Sequence, residues 1–340
     1  MKKEIRMIDI AETLNVSVVT VSNALNDREG VSPELRAEIK KTADSLGYKY
    51  TVNERIVSKI ENRNIGILMS ERFVGEKGTF YWRLCQETSK ELLKKNFFAI
   101  NETLSKDNER AGILPKIISE NKVSGLIVLG QISRSYIDVL IKYDVPLIFL
   151  DFYDKHYSVD SVVTDNFYGM YLLTDYLIEN GHRDIRFIGR LNATSSIQDR
   201  YLGYVKALME NEICTQDSDI PKAINDRDDN GITLKEFDLP EKMPTAFVCN
   251  CDETAFRLIT ILKSRGIRVP EDVSVVGFDN FIVSDVCDPP ITTVEVNMKA
   301  MAEETVSTMI KKLENRKYKS GRKIILGKTV IKESVKNIKK

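Results

Sequence analysis

Along the first fifty positions, apolar residues recur at helical spacing in three short runs. Residues 8–14 are apolar at Ile8, Ile10, Ala11 and Leu14, largely one helical face. Asn15, Val16 and Ser17 then interrupt with turn and cap chemistry. Residues 18–25 resume a helical run, and Ser17 is placed to cap its N-terminus. Ser32-Pro33-Glu34-Leu35 opens a third helix, with Ser32 as N-cap and Pro33 in the first turn, where its missing N–H costs nothing. That helix runs to about Leu46, with Gly47 as C-cap. A helix-turn-helix unit of this size buries little alone, but it can place one helix in a DNA major groove.

From residue 64 the pattern changes. Short, almost uniformly apolar runs alternate with amphipathic ones. Strands are predicted at 64–69, 97–101, 125–129 and 145–150, with helices at 82–95, 107–121 and 135–143. A second series has helices at 166–180, 197–210 and 252–265 and strands at 184–188, 245–249 and 273–276. Uniformly apolar strands suit parallel sheets covered on both faces, and alternating βα units imply doubly wound open sheets. The fold class is therefore α/β: a three-helix head followed by two doubly wound lobes, divided near residues 158–165. Ligands of open sheets sit beyond the carboxyl ends of the strands, here in the interlobe cleft. Residues 213–242, rich in Asp and Asn and poorly patterned, read as an irregular surface excursion.

Composition narrows the function. The chain has 340 residues, 50 Lys/Arg against 50 Asp/Glu, five cysteines and two histidines. The odd, scattered cysteines read as reduced thiols in a cytoplasmic protein. No apolar run suits a transmembrane helix or a secretory signal. Residues 1–64 carry 11 Lys/Arg and 10 Asp/Glu, so the head is no plain basic patch. Helix N-termini and backbone N–H groups also hold phosphates. From Lys311 the chain is strongly basic, which reads as a solvated face. Cys249 and Cys251 lack a partner pair for a metal. Neither a Gly-rich phosphate loop nor a nucleophile elbow occurs, so no cofactor and no enzyme activity is expected.

Several motifs, in order and spacing, resemble the lactose/galactose-repressor (LacI/GalR) family across essentially the whole chain. They include Val16-Ser17-Val18-Val19-Thr20-Val21-Ser22-Asn23-Ala24-Leu25-Asn26, Leu46-Gly47-Tyr48, Asp165-Asn166, Asp199-Arg200-Tyr201-Leu202-Gly203-Tyr204, and residues 269–280, ending Gly277-Phe278-Asp279-Asn280. The resemblance implies a helix-turn-helix DNA-binding domain (1–48), a hinge (49–63) and a two-lobed, periplasmic-binding-protein-like effector and dimerisation domain (64–340). It implies a homodimeric transcription repressor that binds double-stranded operator DNA. A sugar or sugar phosphate bound between the lobes would control it allosterically.

Residues 18–26 would be the recognition helix. Val18, Val19, Ser22, Asn23 and Asn26 would meet the groove, with Ser17, Thr20 and Ser22 as phosphate contacts. Valine meets only a thymine methyl, whereas asparagine pairs with adenine. The family often has arginine at the position of Asn23. In the hinge, Glu54-Arg55-Ile56-Val57 stands where the family carries Ala-Arg-Ser-Leu, making Arg55 and Val57 the minor-groove candidates. The same segment also reads as a plain linker.

For the effector, Arg200 offers a guanidinium fork to vicinal hydroxyls or a carboxylate, or else a surface ion pair with Asp199. Asp279 and Asp151 each follow a strand, as sugar acceptors or as turn caps. Asn250 follows another strand, and Asp252 reads as a helix cap. Tyr81 and Trp82 would stack on a sugar face or pack at a helix start. A sugar-modifying enzyme on the same two-lobed body is the alternative reading.

Overall fold

The computed structural model describes residues 5, 7–25, 30–46, 48, 62–74, 80–228 and 234–339. It divides into two units, residues 1–61 and 62–340.

In the first unit, α1 (Met7–Leu14), α2 (Val18–Leu25) and α3 (Pro33–Ser45) close around Ile10, Val21, Ala24, Leu25 and Ile39. Each helix contributes a stripe spaced three or four residues apart. Asn15 takes a left-handed turn between α1 and α2 (φ 51°). The Ser17 hydroxyl accepts from Thr20 N–H at 3.0 Å, and that of Ser32 from Leu35 N–H at 3.3 Å, so both caps form as the sequence implies. Arg36 of α3 donates to the carbonyls of Asn23 and Ala24, both at 3.3 Å. A cation thereby covers the otherwise unsatisfied carbonyl end of α2. Gly47 lies outside the described residues.

The second unit begins with β1 (Asn64–Ser70), α4 (Phe80–Lys94), β2 (Phe98–Leu104), α5 (Lys106–Ala111) and α6 (Lys116–Ser119). Next come β3 (Gly125–Leu129), α7 (Arg134–Leu140), β4 (Leu147–Leu150) and β5 (Asp160–Thr164). The chain continues with α8 (Asn166–Glu179), β6 (Ile185–Ile188), α9 (Ser195–Glu210), β7 (Ala246–Cys249), α10 (Asp252–Ser264) and β8 (Ser274–Val276). It ends with α11 (Val283–Val286), β9 (Thr293–Glu295), α12 (Met298–Glu314), β10 (Arg322–Ile325) and β11 (Lys328–Val330).

One lobe is built on a parallel sheet in the order β10-β5-β4-β3-β1-β2, the other on β6-β7-β8, also parallel. Central strands such as β3 are buried along their whole length, because helices cover both faces. In the second lobe α8 and α9 approach closely at Gly203. A Cβ there would lie 2.1 Å from the Phe167 carbonyl oxygen, so only glycine fits.

Three expectations need correction. The single helix expected over 107–121 is two short ones, because Gly112 ends α5 in a left-handed cap (φ 64°) and Pro115 precedes α6. The supposed boundary at 158–165 contains β5, and the basic C-terminal stretch supplies β10 to the first lobe and a fully buried Ser334. The lobes are therefore not consecutive halves. The chain crosses between them three times, after β5, after β9 and after β10. At the crossings Asp165 N–H donates to the Ile325 carbonyl (2.8 Å), and β9 pairs antiparallel with β11. Finally, the described residues of 213–242 are mostly irregular but not superficial, since Asp226 and Phe237 are buried.

Candidate functional site

In the head, α2 turns Val21, Ala24 and Leu25 inward and leaves Val18 and Val19 exposed, by 42% and 68%. Ser17 is exposed, and Thr20, Ser22 and Asn23 are half-buried. The hydroxyls of Ser17 and Thr20 lie 2.8 Å apart. An outward apolar pair at the start of a short helix, ringed by hydroxyls, suits thymine methyls flanked by phosphates. Asn26, Arg55 and Val57 lie outside the described residues.

In the body, Arg200 is the centre. It lies on α9, is 5% exposed, and therefore is not the surface partner of Asp199. Its Nε donates to Asn166 Oδ1 (2.7 Å), Nη1 to the Asn250 carbonyl (2.6 Å) and Nη2 to Asp279 Oδ1 (3.3 Å). The guanidinium lies over the Phe278 ring, 3.8 Å from its centroid. Asn166 follows β5 at the first crossing. The Asp279 N–H donates to Val294 of β9, at the second. One planar cation thus joins two crossings to the ends of β7 and β8.

Asp151 and Asp279 follow β4 and β8 and both have positive φ, 67° and 116°. The second value lies outside the ordinary range for a side-chain-bearing residue, a strain of roughly 1–3 kcal/mol that the surroundings must hold. Burial pushes the Asp279 carboxyl up to about 7 against the pull of Arg200, with Asp151 adding repulsion. Burial raises Asp151 to about 6, with Arg200 and Tyr81 holding it lower than burial alone would. Tyr81 faces Asp151, and its hydroxyl is raised well above the usual phenol range, first by burial and then by that carboxyl. Tyr81 packs on Phe73 with centroids 4.3 Å apart, and both rings crowd Gly130.

Trp82, one position along α4, is 42% exposed and is not brought into this cluster. The Asn250 side-chain amide is engaged by Ile188, Asp226 and Thr254, so only its carbonyl faces Arg200. Asp252 does not cap its helix. Its carboxylate accepts from Phe281 N–H and the Thr293 hydroxyl. A cavity of about 490 Å³ opens beside Asp279, between Arg83 and Glu87 of α4 and the crossing segments.

Three features escaped sequence reasoning. Asp226 and Arg227 form a bidentate pair, and Arg227 also reaches Asn250 Oδ1 at 3.2 Å. Gln131, just past β3, accepts from Ser195 N–H at 2.7 Å. The Tyr153 hydroxyl donates to Asp199 at 2.8 Å. The last two bonds join loops of one lobe to the N-terminal turns of α9 in the other. The rule that cleft residues follow strands would have found Gln131.

Residues 6–50 match the family described as bacterial regulatory proteins, lacI family, and residues 174–335 match the periplasmic binding protein-like domain. Residues 6–50 belong to the lacI family. The HTH-type transcriptional repressor PurR of Histophilus somni is 25% identical to this chain over 334 residues, 97% of the chain and 98% of the relative. The ribose operon repressor of Haemophilus influenzae is 25% identical over 334 residues, covering 98% and 99%. Among solved structures, the Lac repressor dimer bound to operator and the anti-inducer ONPF has a TM-score of 0.66 at 21% identity, covering 98% of this chain and 100% of that one. The CelR–cellobiose complex also scores 0.66 at 21% identity, covering 97% and 99%. These likenesses establish the shared helix-turn-helix and two-lobed fold.

Proposed function

We propose that this protein is a cytoplasmic, homodimeric transcriptional repressor whose interlobe cleft binds a carbohydrate effector. Residues 1–48 read operator DNA, 49–63 form the hinge, and 64–340 bind effector and dimerise. The observation that carries the reading is the Arg200 clamp. A buried guanidinium holds Asp279 at the cleft and Asn166 at a lobe crossing, so a ligand that re-pairs it shifts the balance between lobe arrangements. Such a shift is limited by the ligand's differential affinity for the two states. Asp151, Arg200, Asp279 and Tyr81 supply acceptors, a fork and an aromatic face, the chemistry that polyols need. Val18, Val19 and Asn23 face base edges, with Ser17, Thr20 and Ser22 at phosphates. The relatives named as repressors support regulation rather than turnover.

The test is selection of duplexes from a random library by the full chain, paired with a thermal-shift screen of mono- and disaccharides. A near-palindromic consensus and at least one stabilising sugar are expected. Consumption of a sugar by the purified chain would instead favour a sugar-modifying enzyme.

A further inference from the structure

The parallel sheet of the first lobe delivers its strand ends to the cleft and gathers its strand starts on the opposite edge. Asn64, Phe98, Gly125, Leu147, Asp160 and Arg322 open the six strands there. Hydrogen bonds stitch the loops before these strands into one row. Phe98 N–H donates to the Arg63 carbonyl (2.9 Å), Ser124 N–H to that of Asn64 (2.9 Å) and Leu126 N–H to that of Pro146 (2.8 Å). Arg316 Nη1 donates to the Asp144 carbonyl (3.4 Å), and Lys319 Nζ to the Ser158 hydroxyl oxygen (3.0 Å). With strands about 4.8 Å apart, six of them make a row about 24 Å long.

This row is basic. Residues 62–63, 94–97, 119–124, 141–146, 158–160 and 311–321 hold ten Lys/Arg against four Asp/Glu, in a chain that has 50 of each. One of the four acids, Asp160, is buried and engaged by Lys312 and by the N–H groups of Ser320 and Gly321. The Arg316–Asp144 and Lys122–Glu120 ion pairs are loose, at 3.9 and 3.8 Å, and exposed, so they hold these cations weakly. Lys142, Lys317 and Lys319 are exposed as well.

Two observations name what such a row meets. Asn64 lies in it, fourteen positions after the last residue of the segment that matches the lacI family, so a duplex held by the head is tethered to this edge. The head itself is nearly neutral, since residues 1–64 carry 11 Lys/Arg and 10 Asp/Glu. Neutralised phosphates supply essentially all sequence-independent duplex affinity, and this chain carries its local surplus of cations on the body.

Resting on the operator reading above, we propose that the strand-start edge of the first lobe is a second, sequence-independent DNA contact. Lys142, Arg316, Lys317 and Lys319 neutralise duplex phosphates there while the head reads the bases.

The experiment is fluorescence anisotropy of the full chain on the selected operator duplex and on a scrambled one, from about 50 to about 200 mM salt. The variant is the double substitution Lys142→Gln and Lys317→Gln. Both side chains are exposed, so its melting temperature should match that of the parent. Its affinity should fall roughly tenfold at the lowest salt on both duplexes, and the slope of log affinity against log salt should shrink by about 1.8 per bound chain, about 0.9 for each lost phosphate contact. Lys235→Gln, exposed in the other lobe, should change neither. Unchanged affinity and slope in the double variant overturn the inference and leave the operator reading standing. So does a loss confined to the operator sequence, or an equal loss in Lys235→Gln. A parent chain that binds neither duplex overturns both.

Discussion

The Tyr153 hydroxyl and the Asp199 carboxylate meet at 2.8 Å across the cleft, one from the loop after β4 and the other from α9. Beside them Gln131 caps the first turn of α9 through Ser195 N–H. These contacts hold the lobes together directly, so closure is in part a property of the protein itself.

Gln131→Ala and Tyr153→Phe should loosen that closure without unfolding either lobe. Each removes one hydrogen bond, worth about 1 kcal/mol net, or roughly fivefold in the closed population. Hydrogen exchange at the Ser195 amide reads it: exchange accelerates in both variants and slows when a ligand fills the cleft.

Arg200→Gln should be far more damaging. It strips the buried Asp279 carboxyl of its cation and leaves acceptors on Asn166 and Asn250 poorly matched. Breaking a buried pair by removing one partner costs about 3–5 kcal/mol. Arg200→Lys restores the charge but not the fork or the stacking on Phe278, so it should recover only part of this. Denaturant unfolding of the full chain checks both.

Much of this was legible in sequence, and the rest failed for identifiable reasons. β3, α8 and α10 came out nearly as expected because buried strands and amphipathic helices carry strong periodicity. Arg200, Asp151 and Asp279, singled out because they sit at or face strand ends, do converge in the structure. The lobe crossings were hidden. β10 is a four-residue edge strand, half of it charged, and its partner β5 lies some 160 positions earlier in the chain. Asp226 and Arg227 lie in a stretch with no periodicity at all, yet tertiary contacts bury them. The apparent Cys249–Cys251 motif resolves into packing: burial, then the Asp279 charge, pushes the Cys251 thiol up to about 12.

In the head, neighbouring positions of α2 should behave oppositely. Val21 is fully buried, so Val21→Ala should destabilise the head by about 2 kcal/mol. Val19 is 68% exposed, so Val19→Ala should leave its melting within about 0.5 kcal/mol of the original while weakening operator binding. Circular dichroism melts and binding to the selected duplex separate the two.

The pH dependence follows from Asp151 and Asp279, which hold their protons in the folded chain up to about 6 and about 7. The unfolded chain releases them near 3.8. Between those limits the folded state binds more protons, so the stability these groups contribute falls as pH rises from roughly 4 to 7 and then levels. Ligand binding runs the other way, since a donor prefers the ionised Asp151 facing Tyr81 and Arg200. Affinity should rise from pH 5 to 7, and Asp151→Asn should flatten the rise. Titrations across that range decide it.

The most direct measurement is operator affinity of the full chain with and without the sugar that raises its melting temperature, by fluorescence anisotropy on the selected duplex. Coupling between cleft and head predicts at least a fivefold change in affinity, and at the same sugar concentration a much smaller one in Asp151→Asn. A sugar that saturates the cleft yet leaves operator affinity unchanged would contradict the account.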